Sequence, residues 1–481
     1  MNKYLLKGGT VATFVQATNQ PGAFKADVLV EGSTITQIKE NIDAAPDVEE
    51  IDCKDKWITP GFIDTHKHIY ATVLRGNHAD MLFTEYLVKY LWTVQGTLTP
   101  EEVAIGELAG CLDALNNGVT TLLDHFHAAN TPAHAEASLK AAVDPGARVV
   151  WAPDQLSPNT QLFPTLEYAT DAETLQWQRE RLKEWGANGG KLRADGRVLL
   201  GWAFDRLGFG RKPTVPHEQL LAEARAIPVQ TVTAHIQSAE QVLLWRDAGL
   251  LGPDVVFSHC CGLVGHAPLN EEAWKALRDS GTAIGTSPED ELGMALGNGV
   301  VVFDAVERGV KVGIGADTNS VNSGDLFTAM RFALQDARFR EQQRVQAAKE
   351  AVPFKHKYGS VDVFRLATLG GAEVLGLANI IGTVEVGKKA DLLIFDTNSV
   401  NLAGADDPFS GVVCLAAGED IEFVFVDGEV VKKNHRLVRE WAPIARELKS
   451  RAEDIRKRWP ADVLEGTWKR WYDIIVNQSR P

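Results

Sequence analysis

The sequence predicts an α/β protein, a (β/α)8 TIM-like barrel with a small β-sandwich domain built from both ends of the chain. Three observations carry the prediction. Apolar strand-like runs alternate with helix-like stretches through the middle of the chain. Both ends carry short segments of alternating polar and apolar residues with Gly-rich turns. And 481 residues exceed the roughly 250–300 at which a single core stops growing, so a second unit is expected.

The first 58 residues read as strands and turns: KYLLKGGTVATF, ADVLVEGSTITQIKE and EEIDCKDKWITP. Their alternation favours a small antiparallel sheet. The runs that follow as strands are WITPGFIDTH, TTLLDHF, RVVWAP, VLLGWAF, VQTVTAH, VVFSH, TAIGTS and VGIGAD. Helical patterns such as EEVAIGELAGCLDALNNG, AHAEASLKAAV, HEQLLAEARA and NEEAWKALRDSG lie between them, several closing on glycine as helix C-termini do. Such alternation implies a parallel sheet, and eight repeats in roughly 300 residues fit a closed barrel. Strand texture returns in GTVEVGKKADLLIFD and IEFVFVDGEVVKKNHRLV, where Asp-Gly marks a hairpin. A tail rich in Arg, Lys, Glu and Trp closes the chain. The expected organisation is residues 1–58 as the first part of the sandwich, 59–378 as the barrel, 379–438 as its second part and 439–481 as a helical tail.

A net charge of −15 argues against nucleic acid or an anionic membrane as partner, because both repel an acidic surface; a small-molecule substrate is expected instead. Five cysteines without a CxxC pair make neither a disulfide framework nor a zinc knuckle. The opening MNKYLLKGGTVATF lacks a long apolar run and a cleavage site, and no stretch approaches the ~18–20 apolar residues of a membrane span. A soluble, cytoplasmic protein is expected. Gly208-Phe209-Gly210 fails as a dinucleotide fingerprint, since Pro213 stands where the third glycine belongs.

The sharpest local signal is His66-Lys67-His68 at the end of the first barrel strand. Side chains two apart on a strand share a face, so two imidazoles converge at the C-terminal rim, where barrel active sites lie. Strand five ends in Thr233-Ala234-His235, strand six in Phe257-Ser258-His259 and strand eight in Gly315-Ala316-Asp317. Imidazoles and a carboxylate gathered at one rim form a ligand set for a borderline divalent ion such as zinc.

PGFIDTHKH, TAHIQSAE, FSHCCGL and GIGADTNSVNSGD together resemble the amidohydrolase superfamily, in its branch of cytosine, guanine and adenosyl-homocysteine deaminases and triazine hydrolases. VGKKADLLIFD is similar to the second half of that family's split sandwich. The resemblance implies that His66, His68, His235 and Asp317 bind the metal. It implies that Asp317 takes the proton of the attacking water and that His259 orients the hydroxide or polarises the group under attack. Binuclear relatives carry a carboxylated lysine at strand four; here that strand reads VLLGWAFD without one, so one ion per chain is expected, zinc ahead of Fe2+ or Mn2+. Relatives of this kind also imply a homo-oligomer.

Two departures bear on the reaction. Deaminases of the branch carry Glu three positions after the fifth-strand His; here that position is Ser238, a poor proton carrier near pH 7, and Glu240 lies two residues on. After strand seven, where relatives often read Pro-x-Ser-Asn, this chain has Ser287-Pro288-Glu289-Asp290-Glu291. Glu289 or Glu291 offers a substrate-facing acid or a polar anchor. Trp92, His127 (with His125), Gln237, Ser238, Glu289, Asn319 and Ser320 are the candidate substrate contacts; Asn319 and Ser320 could equally satisfy backbone groups in a turn. The leading expectation is hydrolysis of a non-peptide C–N or a C–Cl bond in a small heterocycle or cyclic amide. An aminohydrolase releasing ammonia from a purine, pyrimidine or triazine is the alternative. A catalytically silent scaffold is the third, and its mark would be missing ligands.

Overall fold

The computed structural model describes residues 2–154, 159–163, 166–169, 171–207 and 215–478; the Gly208–Pro213 segment lies outside them. The middle of the chain forms two arcs of parallel strands. The first arc holds β1 (Phe62–Lys67), β2 (Val119–Phe126), β3 (Arg148–Pro153) and the first half of β4 (Val198–Leu200). The second continues from the other half of β4 (Trp202–Ala203) through β5 (Val232–Ile236), β6 (Val255–His259), β7 (Ala283–Thr286) and β8 (Val312–Ile314). Parallel bridges at Asp154–Ala203 and Lys67–Asp317 tie the arcs at their edges. Each strand-like run of the middle region supplies one of these strands.

The first run divides, however. Trp57 to Pro60 belong to a different sheet, and β1 begins only at Phe62. Pro60 has no N–H for a ladder. Gly61 makes the crossing: a Cβ there would stand 2.1 Å from Thr120 Oγ1, so only glycine permits the close approach to β2.

Both chain ends join one nine-stranded sheet, in which Lys56–Pro60 lies between Lys3–Val15 and Leu392–Asp396. Asp427 and Gly428 turn its hairpin with φ of 52° and 76°, the left-handed pair that a two-residue turn requires. A buried ion cluster fastens this sheet to β3. Arg148 Nε and Nη2 donate to Asp391 at 3.0 and 3.1 Å, and Nη2 reaches Asp427 at 3.4 Å.

Helices cover the strands and bury Trp151, Trp202, Trp245 and Trp274. Helix α1 (Pro100–Asn116) starts with a capping box between Thr99 and Glu102 and with proline in its first turn. Helix α2 (Ala239–Asp247) is capped by Ser238, and α3 (Pro288–Gly293) follows β7 directly. The tail forms α4 (Trp441–Arg458), packed on α1, and α5 (Ala461–Gln478). No described helix is long and apolar enough to cross a membrane. All five cysteines are free.

Candidate active site

The rim residues converge. His66 closes β1 with His68 just beyond it, His235 lies on β5, His259 ends β6, and Asp317 follows β8. His68 Nε2 stands 3.2 Å from His235 Nε2, and Asp317 Oδ1 lies 3.5 Å from His68 Nε2 and 3.7 Å from His66 Nε2. Asp317 Oδ2 is 3.5 Å from His259 Nε2. Donor atoms around a tetrahedral ion with bonds of about 2.0–2.1 Å sit roughly 3.3 Å apart, so the spacing suits such an ion. His66, His235 and His259 share one compact cluster, and His66, His68 and Asp317 share another.

The outer nitrogens show which way the lone pairs point. His68 Nδ1 donates to the His125 carbonyl at 2.6 Å, and His235 Nδ1 donates to Asp205 Oδ2 at 2.5 Å. A carbonyl and a carboxylate only accept; each Nδ1 therefore carries the proton and each Nε2 turns its lone pair inward. His66 Nδ1 pairs with Ser258 Oγ at 2.8 Å, while its buried Nε2 makes no hydrogen bond among the described residues. Buried acceptors left open by the fold are costly; a cation at the centre would satisfy them. Burial, then mutual repulsion with the neighbouring imidazoles, holds His66 and His68 well below the usual histidine range, and burial lowers His235 too. Burial also raises Asp317. The donor set thus fits a divalent metal with neutral imidazoles.

The backbone is bent for this arrangement. His259, Cys260 and Asp317 adopt φ of 72°, 60° and 54°, conformations that cost energy for residues with a Cβ and that gather at functional sites. Glu291, on α3, explains how His259 is held. Its Oε1 accepts from the Ser287 N–H at 2.7 Å and from Thr286 Oγ1 at 2.9 Å, and pairs with His259 Nδ1 at 3.4 Å. Burial opposes charge on His259, but the Glu291 hydrogen bond and the Asp317 charge together raise its pKa.

A second polar group adjoins the rim histidines. His125 Nε2 is 3.1 Å from Asp205 Oδ2 and 3.7 Å from Asp154 Oδ2. Burial resists its protonation, yet Asp205 and Asp154 raise it to about 10. Asp205 also accepts the His235 backbone N–H at 2.7 Å, so the end of β4 fixes both the backbone and the ring of His235. β4 carries no lysine at its end, but it carries an acid, Asp205, and Asp154 follows β3 in the same way; both stand at strand ends, the placement that marks the rim histidines.

The other candidates divide into two groups. His127 joins the site: its ring centroid is 4.1 Å from that of His68, tilted by 35°. Gln237 borders β5, and its buried Oε1 makes no hydrogen bond among the described residues. Ser238 is occupied as the α2 cap, accepting the Gln241 N–H at 3.4 Å, and its hydroxyl also hydrogen-bonds the exposed Glu240 carboxylate, which holds that acid below its ordinary pKa. Glu289 accepts from Ser323 Oγ at 3.2 Å and is raised to about 6, first by burial and then by Asp325. Asn319 Nδ2 donates to Asp113, and the carbonyls of Asn319 and Ser320 accept the N–H groups of Gly76 and His78. Both therefore build a loop, the alternative open in the sequence. The Trp92 ring packs on Trp471 at 5.3 Å, against the C-terminal helix.

The sequence profile of the Amidohydrolase family matches residues 57–210 and 215–431. A 5'-deoxyadenosine deaminase of Methanosarcina acetivorans is 28% identical over 454 residues, 90% of this chain and 94% of its own. A 5-methylthioadenosine/S-adenosylhomocysteine deaminase of Thermococcus kodakarensis is 27% identical over 436 residues, covering 85% and 89%. Among solved structures, a zinc-bound adenosine deaminase from Xanthomonas campestris superposes with a TM-score of 0.75 at 20% identity, over 95% of this chain and 99% of that one. An atrazine chlorohydrolase from Arthrobacter aurescens in complex with zinc gives 0.77 at 20% identity, over 93% and 100%. At such identities these structures establish a shared fold.

Proposed function

The chain belongs to the amidohydrolase family, and from that premise we propose that His66, His68, His235 and Asp317 hold one divalent ion, zinc first, in a hydrolytic site. It is an enzyme that hydrolyses carbon–nitrogen bonds other than peptide bonds. The substrate is a small nitrogen heterocycle, attacked at a ring carbon that bears the leaving group. The observation carrying this reading is the set of inward-facing imidazole nitrogens and the Asp317 carboxylate, with every outer Nδ1 occupied.

When bound, such an ion is a Lewis acid that brings water's pKa towards ~7. The protein supplies the rest. Asp317, raised by burial, accepts the proton of the attacking water and returns it to the departing group. His259, steadied by Glu291, donates to the oxygen that attacks or to the ring atom that takes up charge. Asp205 and the His125 carbonyl keep His235 and His68 in the tautomer that the site needs. We also read the two strand arcs as one closed (β/α)8 barrel, fastened to an accessory domain made by the terminal sheet.

The occupied Ser238 shapes the leaving-group preference. With its hydroxyl spent on a helix cap and on the Glu240 carboxylate, Ser238 offers no carboxyl at the sequence position from which deaminases of this branch protonate a ring nitrogen. The site favours electron-poor rings, in which displacement asks for little ring protonation. The test is a release assay on zinc-loaded enzyme, with 5'-deoxyadenosine, aminotriazines and chlorotriazines as substrates. Ammonia or chloride release, lost in Asp317→Asn, is expected; no release from any of them would contradict this reading.

A further inference from the structure

Three buried aromatic groups run from the metal centre into the protein. Tyr90 and Tyr70 are wholly buried. Their hydroxyls lie 3.1 Å apart, and the Tyr70 hydroxyl is in a short hydrogen bond with His127 Nδ1. At the other end the His127 ring leans on His68. The chain runs Tyr90, Tyr70, His127, His68.

Hydrogen-bond accounting sets its polarity. Each phenol has one proton to give. If protons run outward, Tyr90 donates to Tyr70 and Tyr70 donates to His127 Nδ1. Every buried donor is then used, and the imidazole carries its remaining proton on Nε2. If they run inward, His127 Nδ1–H donates to Tyr70 and Tyr70 donates to Tyr90. The Tyr90 proton would then be buried without an acceptor among the described residues, at a cost of about 1–3 kcal/mol. The outward direction wins. His127 Nε2 has no hydrogen bond among the described residues, and the residue keeps 8% of its surface exposed.

We infer that Tyr70 and Tyr90 lock His127 in the Nε2–H tautomer, so that it presents a fixed donor beside His68 and selects heterocycles bearing an acceptor lone pair, a ring nitrogen or ring carbonyl, next to the carbon attacked. This deepens the proposed function and rests on it for the substrate, but not for the tautomer. Neighbouring chemistry supports the assignment. Gln95 Nε2 donates to the His127 carbonyl at 2.8 Å, which fixes the backbone from which the ring projects. Gln237 Oε1, buried and in no hydrogen bond among the described residues, supplies an acceptor at the same rim. A ligand with both an acceptor and an N–H would answer both.

Two measurements on zinc-loaded protein separate the parts. Long-range proton–nitrogen NMR on histidine-labelled enzyme reads the tautomer without any substrate. The expected result is an unprotonated Nδ1 and a protonated Nε2 for His127, giving way to mixed tautomers in Tyr70→Phe, with zinc content retained and a melting temperature lowered by the stranded Tyr90 hydroxyl. Tyr90→Phe, the milder change, should weaken the preference while leaving the fold intact. A protonated Nδ1 in the wild type would overturn the lock. Calorimetric binding of 5'-deoxyadenosine and deaza analogues, each with one ring nitrogen replaced by CH, reads the selection. One analogue should bind about tenfold more weakly to the wild type, the scale of one hydrogen bond, and Tyr70→Phe should not discriminate against it. Equal binding of all the analogues, or none, would overturn the selective role while the NMR result stands by itself. Loss of ammonia and chloride release with the tautomer intact would tell against the proposed function alone.

Discussion

Two buried charged clusters in this molecule are wired in opposite ways. At the foot of β3, Arg148 is gripped by Asp391 and Asp427; the Asp427 N–H also donates to Asp391 Oδ1 at 2.7 Å, and Lys389 closes on Asp427 at 3.2 Å. Its charged groups meet partners within the fold. At the opposite rim, the outer atoms of His66, His68, His235 and His259 are pinned and the inner ones face each other across the centre, with His66 Nε2 in no hydrogen bond among the described residues. A network closed on itself holds two units together. One closed on the outside and open on the inside is prepared for a guest that the chain does not encode. The second pattern also accounts for the bent backbone at His259 and Asp317, since strain persists where surrounding bonds over-determine it.

The contrast can be broken at several points. The largest effect is expected at Asp317, where Asn keeps the shape but cannot carry the proton. Asp317→Asn should lower kcat by about 10²–10⁴-fold in a release assay, with the urea midpoint little changed. Arg148→Met should do the reverse. It leaves Asp391 buried without its cation and Asp427 with Lys389 alone, costing about 3–5 kcal/mol in urea unfolding, with zinc content per folded chain retained. Asp205→Asn is intermediate, since it loosens His235 without removing a ligand. It should weaken zinc by about 10–100-fold in chelator competition.

Acid separates the two clusters as well. His66 and His68 are held below the ordinary histidine pKa, so above about 6.5 neither the folded nor the unfolded chain protonates them and their neutral form costs nothing. As pH falls below that value the unfolded chain takes up protons that the folded one refuses. Each such histidine should therefore pull the stability of the metal-free protein down by up to about 1.4 kcal/mol per pH unit below that value, against the opposite pull of Glu289 and Asp317, whose raised pKa values favour the folded chain in acid. Denaturant titrations from pH 7 to 5 on wild type and on His66→Gln isolate the histidine share. Arg148 stays charged across that window and contributes no slope. The smallest effect is expected at Ser238: Ser238→Ala should cost about 1 kcal/mol by loss of the helix cap, with kcat unmoved. A fall in kcat there would return that hydroxyl to the chemistry.

The legible parts of the sequence were those in which one strand carries its own signal. The rim histidines and Asp317 were readable because period two and strand-end placement are local rules. The terminal sheet was readable from its alternation, but not the change of sheets at Gly61, which depends on Thr120 in β2, whose hydroxyl reaches the Phe62 carbonyl 58 positions earlier. Glu291 appeared only as one of two acids in a loop; its pairing with His259 needs the turn of α3. Asp205 and Asp154 went unread because their importance lies in His125 and His235 on other strands. The Tyr90–Tyr70–His127 chain has no sequence signature, since a hydrogen bond across 57 positions follows from packing alone.

Metal stoichiometry tests the central claim most directly. Elemental mass spectrometry on the purified protein, beside His235→Ala at matched fold and concentration, should find about one equivalent of zinc per chain in the first and a large loss in the second. Two equivalents would place a second ion against His125 and Asp205, and no metal after zinc supply would contradict the account.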